Sequence, residues 1–147
     1  MPRICIGIDP GDNTGVAVWN VQGQEFSRLC TLPLHRALTL VRELWDAFEG
    51  PAGDFLVIFE DARQRTFFER ERNASEYRGK LMGAGAAKRD AKIWEEFLTD
   101  YNIPFRAVKP SAGRTKWSAD YFARVTGYAG RTSNHARDAA VLVFQMR

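Results

Sequence analysis

The sequence predicts an α/β fold in which a mixed five-stranded sheet, with three antiparallel N-terminal strands, carries helices on its faces. Three observations predict it. The first 32 residues hold three apolar runs joined by turns short enough for antiparallel hairpins. Residues 55–60 are apolar without interruption up to a terminal acid, the pattern of a strand covered on both sides. The rest alternates helical periodicity with one more short strand, giving the order β-β-β-α-β-α-β-α-α.

Each element has its own justification. Residues 3–9, 14–20 and 25–32 are the opening strands, with Pro10-Gly11-Asp12-Asn13 and Gln22-Gly23-Gln24 as turns. Residues 34–48 place Leu34, Leu38, Val41, Leu44, Trp45 and Phe48 on a helical stripe that stops at Gly50-Pro51. Strand 55–60 follows, then a polar, arginine-rich stretch at 61–78 with Phe67-Phe68 in its middle, expected to be a functional loop. Residues 79–101 are expected to form a long helix, with Met82, Ala86, Ile93, Phe97 and Tyr101 near one face. Its segment Gly83-Ala84-Gly85-Ala86-Ala87 is nearly all small residues. Glycine lowers helix stability, so close approach of another helix, from this chain or a second subunit, is the reason to expect. Residues 105–108 make a fifth strand, 118–126 a helix, and 134–146 a last helix capped by Ser133 or Asn134.

The 147 residues suit one domain, and 45% apolar with 27% charged residues is ordinary for a soluble globular protein. No stretch approaches the roughly 20 apolar residues of a membrane span. The chain opens directly on a strand pattern, so a cytoplasmic location without a targeting segment is expected. Cys5 and Cys30 lie in apolar runs and read as free, buried thiols, with a disulfide the alternative. Net charge is +3, but unevenly distributed. Residues 1–60 carry four basic and eight acidic side chains, whereas residues 105–147 carry eight basic against two acidic. That asymmetry fits either a polyanion partner for the second half or a solvated basic surface.

The chemistry lies in three acids. Asp9 ends the run Ile4–Ile8, Glu60 ends the run Phe55–Phe59, and Asp138 falls in the first turn of the last helix, three residues after His135. A carboxylate ending a buried strand is costly without compensation, and several converging carboxylates favour a divalent cation. Each part has a plainer reading. Residues 7–15 could be a hairpin turn, or the phosphate-binding turn of an actin-like ATPase. His135 and Asp138 could simply begin a helix, and Asp61 could be the acid that matters instead of Glu60.

Taken together, Gly7-Ile8-Asp9-Pro10-Gly11-Asp12-Asn13-Thr14-Gly15, the strand ending in Glu60 and His135-Ala136-Arg137-Asp138 resemble the RuvC family of Holliday-junction resolvases, which has the ribonuclease H-like fold. The compact length and irregular basic loop suggest a divergent, phage-type member. The resemblance covers essentially the whole chain and implies one nuclease domain over 1–147. It implies Asp9, Glu60 and Asp138 as metal-binding carboxylates, with His135 as a further ligand or water-orienting group. The cofactor would be Mg²⁺, with Mn²⁺ substituting, two ions per site about 4 Å apart. Branched DNA would be nicked in paired fashion, leaving 5′-phosphate and 3′-hydroxyl ends. Residues around 81–93 would pair two subunits into a homodimer. Arg63, Arg65, Arg70 and Arg72 are candidates for DNA phosphates and Phe67 or Phe68 for base stacking, worth roughly 1–3 kcal/mol per base. Arg131 joins them, while Lys109, Arg114 and Lys116 compete for the role of the family's loop lysine. An RNA-cutting YqgF-like nuclease and a non-cleaving branched-DNA binder are the alternatives.

Overall fold

The computed structural model describes residues 1–65, 74–110 and 116–147, and of Ala74 only the backbone. Strands β1 (Ile4–Asp9), β2 (Asn13–Asn20) and β3 (Glu25–Pro33) form an antiparallel meander. β4 (Phe55–Glu60) pairs parallel to β1, and β5 (Phe105–Val108) parallel to β4. The sheet order is β3-β2-β1-β4-β5, so the anticipated mixed five-stranded sheet is present with β1 at its centre.

Alternation along the strands divides the core in two. Ile6, Ile8, Val57 and Phe59 face one side, packed with Val41 of α1 (Leu34–Ala47) and Trp94 and Leu98 of α2 (Ala74–Asp100). Cys5, Ala17, Trp19 and Ile58 face the other, packed with Phe122 of α3 (Ala119–Thr126) and Ala139, Ala140 and Val143 of α4 (Asn134–Val143). Both faces of β1 and β4 are therefore covered, which is why both read as unbroken apolar runs. No helix among the described residues is long and apolar enough to cross a membrane.

Several expectations change in detail. The stretch 61–78 is not one loop: Ala62–Gln64 is a turn of 3-10 helix, and α2 already begins at Ala74. The face that α2 buries is Ala91, Trp94 and Leu98, rotated from the expected stripe, while Met82 is 78% exposed. Trp94 decides that rotation, because it has the largest apolar surface to hide. α4 stops at Val143, with Ser133 as its cap through a hydrogen bond from the Ala136 N–H. Cys5 is buried, Cys30 half-buried, and both thiols are free. Burial pushes the Cys5 thiol up to about 11, so it is inert as a nucleophile.

Candidate active site

The site is built by close contact between α4 and the sheet. Gly7 and Gly15 have no side chain where one would strike the helix backbone: a Cβ at Gly7 would lie 2.0 Å from the Ala139 carbonyl oxygen, and one at Gly15 1.9 Å from that of His135. Glycine is required at both positions for that reason. Gly15 is also the cross-strand partner of Asp9. The helix start therefore rests beside the end of β1, and His135 Nδ1 meets Asp9 Oδ2 at 3.0 Å. The turn after Asp9 is pinned by Thr14, whose hydroxyl donates to the Gly11 carbonyl at 2.7 Å.

Glu60 enters from the neighbouring strand. Ile8 pairs with Phe59, so Asp9 and Glu60 end adjacent parallel strands. Together with Pro10, Ala62, Arg65, Ala87 and Pro110 they line a cleft of about 130 Å³. Asp138, one turn into α4, accepts from Lys116 Nζ at 2.8 Å.

Electrostatics report how near these groups are. Burial raises the Asp9 carboxyl above the usual carboxylate range; the His135 hydrogen bond opposes this, and the charges of Asp138 and Glu60 add to it. Lys116 is raised above the usual ammonium range, first by its bond to Asp138 and then by the more distant Asp9 and Glu60. One ammonium thus feels all three carboxylates. Among the described residues, however, no group of three or more His, Cys, Asp or Glu is arranged so that it could hold a metal ion as it stands. Asp9 is turned to His135 and Asp138 to Lys116. Donor chemistry nevertheless fits a hard divalent cation: carboxylate oxygens and one imidazole, with mutual repulsion that a cation would relieve.

Asp61 has a different task from Glu60. Its carboxylate accepts from the backbone N–H, Nε and Nη2 of Arg63, with the last two at 2.8 and 2.9 Å, and Arg63 also reaches Glu95 at 2.6 Å. Arg63, expected on the nucleic-acid face, therefore has its guanidinium engaged in joining the 3-10 turn to α2. The Arg63 hydrogen bonds hold Asp61 below the usual carboxylate range. A depressed carboxyl contributes stability that is complete above the unfolded value near 4 and is lost as pH falls through the folded one. Wild type should therefore lose stability below about pH 4 more steeply than Asp61→Asn, as read from urea midpoints across pH; parallel profiles would refute this.

Other candidates are dispersed. Arg65 lines the cleft, while Lys109 and Arg131 are exposed beyond β5 and before α4. Of the two loop cations among the described residues, Lys109 and Lys116, it is Lys116 that is found on a site carboxylate. Phe67, Phe68, Arg70, Arg72 and Arg114 lie outside the described residues. Arg137 is only 7% exposed and is a site neighbour with no role expected from sequence. An arginine among the alanines of α4's inner face was the available signal.

No family model and no curated protein matches the chain. A solved structure of Thermus thermophilus RuvC does, at TM-score 0.54 and 18% identity, covering 97% of this chain and 92% of that one. The chain shares the RuvC fold. The ribonuclease H-like arrangement implied by the three segments together is thus the observed one. Within this RuvC-like frame, Asp9, Glu60, His135 and Asp138 gather at one end of β1, β4 and α4.

Proposed function

We propose that the protein is a metal-dependent endonuclease that resolves Holliday junctions and other branched DNA by paired nicks, leaving 5′-phosphate and 3′-hydroxyl ends. The observation that carries the reading is that Asp9 and Glu60 end adjacent parallel strands and line one cleft, while Asp138, bonded to Lys116, sits near the start of the helix packed against those strands. A protein that only bound nucleic acid would gain nothing from clustered negative charge beside the phosphates. The RuvC fold extends over almost the whole chain and supports the same reading.

Asp9, Glu60 and Asp138, with His135, are the groups we assign to hold Mg²⁺ or Mn²⁺. When bound, the ions supply Lewis-acid polarisation of the phosphoryl oxygens and lower the pKa of water. His135 Nδ1 stands 3.0 Å from Asp9 Oδ2; with the proton on Nδ1, Nε2 is left either to complete a metal shell or to orient an attacking water. Lys116 stands ready to exchange Asp138 for a phosphate oxygen, and its 73% exposed side chain has the freedom to do so. Arg65, Lys109 and Arg131 are the described cations we assign to flanking DNA.

Pairing of two subunits is part of the proposal, since two nicks need two sites. Tyr77, Leu81 and Met82 are exposed on α2, and among the described residues, apart from the helix's own backbone, nothing comes within 4 Å of where a Cβ at Gly79, Gly83 or Gly85 would stand. Leu81→Glu combined with Met82→Glu should convert a dimer to a monomer by light scattering. An unchanged dimer mass would place the interface elsewhere.

The activity itself is tested with a synthetic four-way junction, linear duplex and RNA hairpin, each with and without Mg²⁺. Metal-dependent cutting confined to the junction is the expected result. Cutting of the RNA alone would overturn the assignment.

A further inference from the structure

We infer that Arg137 is the positioning residue that holds Lys116 against Asp138. The inference rests on the nuclease reading for its kinetic meaning, while its structural content stands apart from it. Arg137 lies on α4 between His135 and Asp138 and is 7% exposed, yet among the described residues its guanidinium bonds only neutral oxygens. Nε donates to the Trp117 carbonyl at 2.9 Å. Nη1 donates to the Thr132 carbonyl at 2.7 Å and to its hydroxyl at 2.9 Å, and Nη2 to the Asn134 side-chain carbonyl.

A buried charge without a counter-ion is expensive unless every donor has a use. Here the use is geometric. The planar fork carries five N–H donors in fixed directions, and it ties three places to one turn of α4: the loop end at Thr132, the helix start at Asn134, and the chain beside Lys116. That last attachment is 20 residues away in sequence and crosses between elements. The Trp117 indole is fixed from its other side by edge contacts with Tyr121 and Phe144, centroids 5.0 and 5.9 Å apart, and a tilted contact with Phe122. With its carbonyl on Arg137 and its half-buried ring packed against the core, Trp117 is a firm root. Lys116 is the next residue, and its flexible stem then needs to reach only Asp138, the residue after Arg137. One arginine thus sets both ends of the Lys116–Asp138 pair.

The mere alternative is that Arg137 stabilises the 127–133 loop and nothing more. The two are separated by Arg137→Lys, which keeps the charge but loses the fork, in a cycle with Lys116→Met. If Arg137 acts through Lys116, Arg137→Lys lowers kcat on the junction roughly 10–100-fold, the range for groups behind a catalytic ligand, and leaves KM within twofold. The double variant is then no slower than Lys116→Met alone. Multiplying losses, or a full-rate lysine variant, overturn the inference. A second readout needs no activity. With 5-fluorotryptophan incorporated, the Trp117 resonance should shift or broaden in Arg137→Lys while those of Trp19, Trp45 and Trp94 stay. An unmoved Trp117 signal counts against the clamp whether or not DNA is cut, and a wild type that cuts nothing counts against the nuclease reading alone. Should the variant not fold, hydrogen exchange in wild type decides: the Arg137 Nε–H should exchange far more slowly than that of exposed Arg131. Equal rates would overturn the clamp.

Discussion

Asp9→Asn is expected to lower junction cleavage more than about 100-fold, since even groups one step removed from a metal ligand cost roughly 10–100-fold when lost. Binding should survive, because the variant removes a negative charge from a surface proposed to face phosphates. The stability signature is equally diagnostic. Burial and repulsion from Asp138 and Glu60 raise the Asp9 carboxyl, so its ionised form is penalised in the fold. The penalty is absent below the unfolded carboxylate value near 4 and grows as pH rises through the elevated folded one. Without metal at neutral pH the asparagine variant should therefore be at least as stable as wild type in urea, since the amide still offers His135 an oxygen. Adding Mn²⁺ should raise the melting temperature of wild type and leave that of the variant unchanged. A variant that cuts at the wild-type rate, or gains the same stability from Mn²⁺, would remove Asp9 from the centre of the site.

Gly15→Ala is expected to be the most damaging single methyl addition in the site. Its Cβ would stand 1.9 Å from the His135 carbonyl oxygen and 2.4 Å from the carbon bonded to it. Both are backbone atoms, so no rotamer change relieves the clash. Overpacking of this kind costs about 1–3 kcal/mol, and the upper end applies where backbone must move. For a chain of this size that corresponds to a fall of roughly 6–12 °C in melting temperature. The same displacement lifts His135 away from Asp9, so cleavage should be lost although no site residue is altered. Gly53→Ala is the control: among the described residues nothing beyond its chain neighbours lies within 4 Å of its Cβ. A Gly15 variant melting within about 2 °C of wild type would mean that α4 does not rest on β1 and β2 as described.

Much of the arrangement was legible from local pattern. Alternation in β4 put Glu60 on the same face as Ile58, and parallel pairing with β1 then carried it beside Asp9. The i, i+3 spacing of His135 and Asp138 put both at the start of α4. The face of α2 was misread because Met82, Ile93 and Phe97 also follow a helical period. Only the position of β4 and α1 beneath α2 favours Trp94 and Leu98 over them. The glycines of the opening motif permit close approach of some other group. That what approaches is the α4 backbone depends on a contact across more than a hundred residues.

Composition and periodicity by themselves determined the strands, their two faces and the acids that end them, because these follow from where apolar side chains can hide. Which cation answers which acid was decided only in three dimensions. Asp61 took Arg63 and Asp138 took Lys116, while Asp9 took the His135 ring by a hydrogen bond. Charge pairing depends on a few ångströms between groups up to 126 residues apart in sequence, and no local repeat encodes such a distance.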